Sequence, residues 1–291
     1  MTEKTEKTMV DCHIHMVLDG VYWKAAIARH KAAPQEALIR TVLSHYRSLG
    51  CTYLRDGGDR WGVCTLAAQI APEYGIRYRS PAFPICKAGH YGTFIGRSFD
   101  TPDEYRALLR EAKEQGAHFI KLMISGIMDF DHFGVITGEP LPPEEIRAMI
   151  DCAHDAGFAV MAHANGEHAV SAALDAEVDS VEHGAYLSDE TLSRLAESRT
   201  AWVPTLAAVG NLIGCGRYDD KTLREILASQ LRAVKKAAAL GAAIACGSDA
   251  GAYLVPHGEG GLNEMDYLRQ ALGKDTDRII QAGNEHIAAG F

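Results

Sequence analysis

Met9-Val10-Asp11-Cys12-His13-Ile14-His15 is a short apolar run that ends on two histidines spaced two residues apart. Side chains alternate between the two faces of a strand. An extended reading therefore puts Asp11, His13 and His15 on one face and Cys12 and Ile14 on the other. The same design, an apolar run closing on a polar residue and followed by a helical stretch, recurs along the chain. The candidate strands are Met9–His15, Thr52–Asp56, Arg77–Pro84, Phe119–Met123, Ala159–His163, Ser180–His183, Ala201–Pro204 and Ala243–Ser248. Helical stretches fall between them, at Glu36–Ser48, Pro102–Gln115, Pro143–Ala156, Ser188–Glu197 and Lys221–Leu240, and after the last strand near Gly261–Ala271 and Asp277–Ala289. Pro102 and Pro143 suit a first helical turn. Gly116, Gly157 and Gly241 stand where a left-handed residue would stop a helix. Strands alternating with helices imply a parallel sheet, and eight of each is the number that closes a (β/α)8, or TIM, barrel. The expected organisation is a flexible tail over residues 1–8 and a single barrel over 9–291.

The gross composition fits one large core. A chain of 291 residues, 47% hydrophobic, matches a single α/β barrel. A formal charge of −9 argues against nucleic acid as a partner, which calls for a basic surface. No apolar run reaches the roughly 20 residues that cross a bilayer, and MTEKTEKT is too polar for a secretory signal. Seven scattered cysteines without a C-x-x-C pair suit a reducing cytoplasm better than a disulfide framework.

In a barrel, chemistry gathers at the C-terminal ends of the strands. Six polar residues stand there: His13 and His15 on the first strand, Lys121 in F-I-K-L-M on the fourth, His163 ending the fifth, His183 ending the sixth and Asp249 ending the eighth. Each alone has an ordinary explanation. An H-x-H pair arises by chance, a strand lysine is commonly half of an ion pair, and an aspartate after Gly-Ser is a natural turn residue or helix cap. Six such residues at one end of five strands are harder to dismiss, because buried imidazoles, an amine and a carboxylate are costly unless paired or bound to metal. Imidazole with carboxylate suits zinc, manganese or iron in an open site. The lysine is informative, since an ammonium would repel a cation. A neutral amine can instead add carbon dioxide, and the resulting carbamate offers two oxygens to two divalent ions.

H-x-H, Lys121, His163, His183 and Asp249, in this order, resemble the amidohydrolase superfamily in its binuclear, carbamylated-lysine subtype. The segments T-Y-L-R-D-G-G-D (52–59), K-A-G-H-Y-G (87–92), E-H-G-A-Y (182–186), W-V-P-T-L (202–206) and G-S-D-A-G (247–251) are similar to its prolidase-like and imidazolonepropionase-like branch. The resemblance implies that His13, His15 and Asp249 bind one metal, that His163 and His183 bind a second, and that Lys121 as carbamate bridges them. Zinc heads the expected metals, with manganese or iron(II) as alternatives. It further implies that His90 and Tyr186 contact the oxygen on which charge develops. Asp249 would act as general base and then as general acid on a small-molecule amide such as a dipeptide, N-acyl amino acid or cyclic amide. Family members usually begin with a small β-sandwich, and the position of His13 leads us to expect a barrel without it. Assembly into a homo-oligomer is left open.

Four other readings compete. A lactonase or phosphotriesterase would use the same metals. A mononuclear deaminase would need a free glutamate base, and Glu182, adjacent to His183, should face away from the pocket on an extended strand. Lys87 and Arg97 are candidate partners for a substrate carboxylate, and His257 is either a pocket-mouth or a turn residue. A non-catalytic barrel should have lost at least one ligand, and a structural zinc site should use cysteine rather than lysine.

Overall fold

A computed structural model describes residues 8–291, so the tail expected before Met9 lies almost wholly outside the described residues. Among the described residues there are nine strands: β1 Met9–Ile14, β2 Cys51–Asp56, β3 Arg77–Arg79, β4 Pro84–Lys87, β5 Arg97–Phe99, β6 Ile120–Met123, β7 Val160–Ala164, β8 Ser180–His183 and β9 Ala201–Val203. The helices are α1 Trp23–His30, α2 Glu36–Ser48, α3 Val63–Ile70, α4 Pro102–Glu114, α5 Pro143–Asp155, α6 Glu167–Asp175, α7 Asp189–Glu197, α8 Ala207–Gly210, α9 Asp220–Leu240, α10 Glu259–Leu272 and α11 Thr276–Gly290. None is long and apolar enough to cross a membrane. All seven cysteines are free.

Local chemistry sets the helix ends. Thr101 and Glu104 close a reciprocal capping box at the start of α4, and the Ser188 hydroxyl accepts the Thr191 amide at the start of α7. Gly241, at φ +94, stops α9 in the left-handed region, as the sequence implied.

Every strand pairing is parallel, in two sheets ordered β1-β2-β3 and β5-β4-β6-β7-β8-β9. Two expected strands are irregular, and these irregularities join the sheets. The third expected strand, Arg77–Pro84, breaks at Pro81 and Ala82, which takes φ +64. Its first half (β3) pairs with β2, whereas its continuation (β4) pairs with β6. At the break the His118 amide donates to Ser80 O at 2.9 Å. The eighth expected strand, Ala243–Ser248, forms only isolated bridges. On one side the Trp202 amide donates to Ala243 O (2.8 Å), and on the other the Cys12 amide donates to Cys246 O (2.8 Å). Eight parallel staves result, a TIM-type α/β architecture with α-helices outside. β5 is an extra strand at the edge of β4.

The interior of the lower ring holds Cys12, Tyr53, Phe119, Met161, Val203 and Ala245, closed off by Phe291 from the end of the chain. Leu54 and Ile14 instead pack outward with α2 and α3 residues such as Leu43 and Val63.

Candidate active site

The H-x-H pair reaches the top of the barrel through a bulge. Between Asp11 and Ile14, β1 advances three residues while β2 advances two, from Leu54 to Asp56. The simple alternation expected for β1 is therefore corrected. Cys12 faces the interior with Tyr53 and Phe119, and His13 follows it into the site. Asp11 turns out of the site, accepting from the Ser248 amide (2.9 Å) and hydroxyl (2.6 Å), and so holds the turn that carries Asp249.

His13, His15, Lys121, His163, His183 and Asp249 all line one cavity of about 490 Å³ at the C-terminal ends of the staves. His13, His15 and Asp249 bring one ligand atom each to within 4.8 Å of one another. The His13 and His183 ring centroids lie 5.1 Å apart, and those of His163 and His183 lie 4.6 Å apart. Asp249 Oδ1 is 3.3 Å from His15 Nε2 and 3.5 Å from His13 Nε2.

The second nitrogen of three imidazoles is already spoken for. His13 Nδ1 donates to Glu182 Oε2 at 2.7 Å, His163 Nε2 donates to Gly126 O at 3.0 Å, and His183 Nδ1 meets Thr205 Oγ1 at 2.7 Å. A carboxylate and a carbonyl can only accept, so His13 Nε2 and His163 Nδ1 keep their lone pairs. His13 Nε2, His15 Nδ1 and Lys121 Nζ are buried with no hydrogen-bond partner. Orphaned atoms of this type, beside three imidazoles oriented from behind, fit a cation site.

The electrostatics favour neutral ligands. Burial, reinforced by the Lys121 charge, pushes His13 down to about 4 and His163 down to about 3. Burial and the neighbouring His163 and His13 hold His183 well below its ordinary value. Burial is the main force lowering Lys121 to about 8, with the Arg55 charge adding to it. Burial opposes ionisation of Asp249, yet the His15 hydrogen bond and the charges of His13, His15 and Lys121 outweigh it and keep the carboxyl below the usual range.

Glu182 is a correction. His183 takes φ +68, which breaks the alternation of β8 and turns both side chains into the barrel. Glu182 does not face away. It is wholly buried beneath His13, paired with Arg55 Nη2 at 2.7 Å and accepting from the Ser180 hydroxyl at 2.6 Å. Arg55 is held in turn by Cys12 O (2.8 Å) and lies 4.4 Å from the Phe291 ring centre.

The structure does not bring His90 and Tyr186 to the cavity wall. His90 is half-buried in a turn after β4, and its neighbour Tyr91 lines the cavity instead, with its ring 4.9 Å from that of His163. Tyr186, at φ +60, packs its ring on Phe133 at 5.2 Å and faces a separate depression beside α7 and α9. Lys87 pairs with Glu145 and Arg97 with Glu111, so carboxylates of the chain already occupy both. His257 is a turn residue, bonded to Leu18 O (3.0 Å) and Tyr46 (3.3 Å). Arg55, Thr205, Asn165, Tyr91 and Arg217 carry no assignment in the sequence reading. Alternation from Tyr53 would have pointed Arg55 inward, but no local signal marks the others.

Known proteins share this framework. The ochratoxinase of Aspergillus niger is 26% identical over 245 residues, covering 68% of this chain and 47% of the relative. Its crystal structure superimposes with a TM-score of 0.79 at 22% identity, over 97% of this chain and 71% of that one. A Xaa-Pro dipeptidase with methionine bound in its active site gives a TM-score of 0.74 at 21% identity (97% and 75%), and a putative prolidase from Bifidobacterium longum gives 0.71 at 24% (97% and 69%). An uncharacterised Mycobacterium tuberculosis protein is 40% identical over 77 residues, covering 25% of this chain and 21% of the relative. The chain thus spans less than half the length of these curated relatives. The sequence profile of the amidohydrolase family, however, matches residues 8–284, from the first residue before β1 into α11, and on that match the chain belongs to the amidohydrolase family.

Proposed function

We propose that the chain is a metal-dependent hydrolase that cleaves an amide C–N bond of a small molecule. One observation carries the reading: Lys121 Nζ, buried and without a hydrogen-bond partner, lines the same cavity as four histidines and Asp249. His13, His15 and Asp249 would hold one divalent cation, zinc by first expectation, and His163 and His183 a second. Lys121, as its carbamate, would serve both. When bound, such ions acidify a water and polarise a carbonyl.

The chain's own residues supply the rest. At an ordinary pKa less than a thousandth of a lysine is neutral at pH 7, whereas at about 8 roughly a tenth is. That neutral amine adds carbon dioxide and releases one proton. Asp249, ionised beside His13 and His15, takes the proton of the attacking water and returns it to the leaving nitrogen. Tyr91, the neighbour of His90, packs on His163, and with Phe94 and Ile95 it forms an apolar wall that limits water at the site.

Two observations favour an amide over the alternatives. The similar structures include a Xaa-Pro dipeptidase and a putative prolidase. Glu182, the base a mononuclear deaminase would need, is locked between Arg55 and His13.

The test is a hydrolysis screen of dipeptides, N-acyl amino acids, cyclic amides and lactones with zinc- or manganese-reconstituted protein, paired with metal analysis. We expect amide turnover and two metals per chain. Lys121→Ala should lose one or both metals and all turnover, and Asp249→Ala should lower kcat by at least about a thousandfold. Wild-type protein that binds no metal and gains no activity on reconstitution would refute the proposal.

A further inference from the structure

We propose that Arg217 reads a carboxylate on the substrate, so that the cavity selects amides bearing both an anionic and an aromatic group. This rests on the hydrolase reading and specifies its substrate class.

Arg217 lies in the segment after α8 and lines the cavity. Its guanidinium carbon stands 5.2 Å from the Tyr218 ring centre and 5.1 Å from that of Tyr253. Two aromatic faces hold a planar fork in place without using its N–H donors, which remain free for a bidentate acceptor. Among the described residues no carboxylate forms an ion pair with Arg217, although acids stand close in sequence and space. Those acids are committed elsewhere. Asp219 caps α9 through the Thr222 amide (2.8 Å), and Asp220 accepts the Gly214 amide (2.7 Å). Asp131 accepts the Asp219 amide (2.9 Å), and Asp129 accepts the amides of Asp131 and His132. Helix N-termini and turns thus satisfy the nearby negative charge. Of the cationic side chains on the wall, Lys121 sits among the imidazoles, which leaves Arg217 to meet an anion.

The rest of the wall is apolar and aromatic. Trp23 and Phe94 meet edge to face at 5.3 Å, and Phe130 packs on Tyr218 at 5.2 Å. Val21 and Tyr22, at the rim, are 70% and 55% exposed, unusual for apolar side chains without a partner. A cavity of about 490 Å³ with such walls suits a ligand with at least one aryl group.

The test uses the ketone isostere of N-benzoyl-phenylalanine, in which CH2 replaces NH and cleavage is blocked, and the primary carboxamide of that isostere. Calorimetric titration of the metal-loaded protein should show the acid binding about tenfold tighter than the carboxamide. Arg217→Met, which keeps the apolar stem, should bring the ratio near one, and Arg217→Lys should retain part of it. Equal binding of acid and carboxamide to the wild type, or no binding of either, would overturn the proposal. So would a preference that survives Arg217→Met, since the acid would then be held by the metal cluster. The hydrolase reading is scored separately on N-benzoyl-phenylalanine itself. Arg217-dependent binding without cleavage removes that reading and keeps the carboxylate site, whereas cleavage of the acid and its amide at equal kcat/KM does the reverse.

Discussion

Glu182 and Arg55 show how a single buried ion pair can support a reactive site. Both side chains are fully buried, and the carboxylate also accepts from His13 Nδ1. Burial would raise Glu182, but Arg55 and the His13 hydrogen bond hold it down at about 2, so it stays an acceptor at every working pH. His13 is thereby fixed with its Nε2 lone pair toward the cavity. Glu182→Gln leaves the Arg55 charge uncompensated in the interior. We expect a loss of about 3 kcal/mol in denaturant unfolding and a 10- to 100-fold weaker metal affinity in competition with a chelator. Retained affinity at full metal occupancy would show that His13 needs no partner behind it. Lys121 and the terminal histidines were legible in the sequence because they interrupt or close apolar runs. Glu182 was misread because the positive φ at His183 lets that side chain share the inward face with Glu182, which no composition rule announces.

At the scale of elements, the bulge of β1 and the turn after β2 act together. The Gly57 amide donates to Ile14 O at 2.8 Å, and a Cβ at position 57 would stand 2.3 Å from His15 Cε1. Gly57 does not take a positive φ, so alanine is tolerable to the backbone and objectionable only to the imidazole. Gly57→Ala should leave far-UV circular dichroism unchanged and lower metal content from two ions toward one. Two ions retained at wild-type affinity would mean that His15 has room to move or does not bind. Capped helices α4 and α7 and the glycine stop of α9 were readable to within a residue or two because their signals are local. The third and eighth staves were harder. Their breaks at Pro81–Ala82 and along 243–250 answer to neighbours on both sides rather than to their own residues.

The whole barrel separates stability from chemistry along its axis. Phe119 and Phe291 meet edge to face at 5.3 Å at the closed end, with Arg55 stacked on Phe291, while the four histidines, Lys121 and Asp249 occupy the open end. Phe291→Ala should therefore cost about 3 to 5 kcal/mol by calorimetry or denaturant unfolding, with kcat on a working substrate reduced less than about threefold at temperatures where the variant stays folded. A much larger kcat loss would show that the plug sets Arg55, and through Glu182 sets His13.

Periodicity, caps and polar strand ends were enough, from the sequence alone, to specify an alternating α/β barrel and the six residues that share one cavity, because each signal lies within a few residues of its effect. Direction was another matter. Which way Glu182 points, which of His90 and Tyr91 meets the cavity, where Tyr186 packs and what surrounds Arg217 all depend on bulges, positive-φ residues and loops from different staves. Those contacts are between residues far apart in the chain, and only their packing in three dimensions decides them.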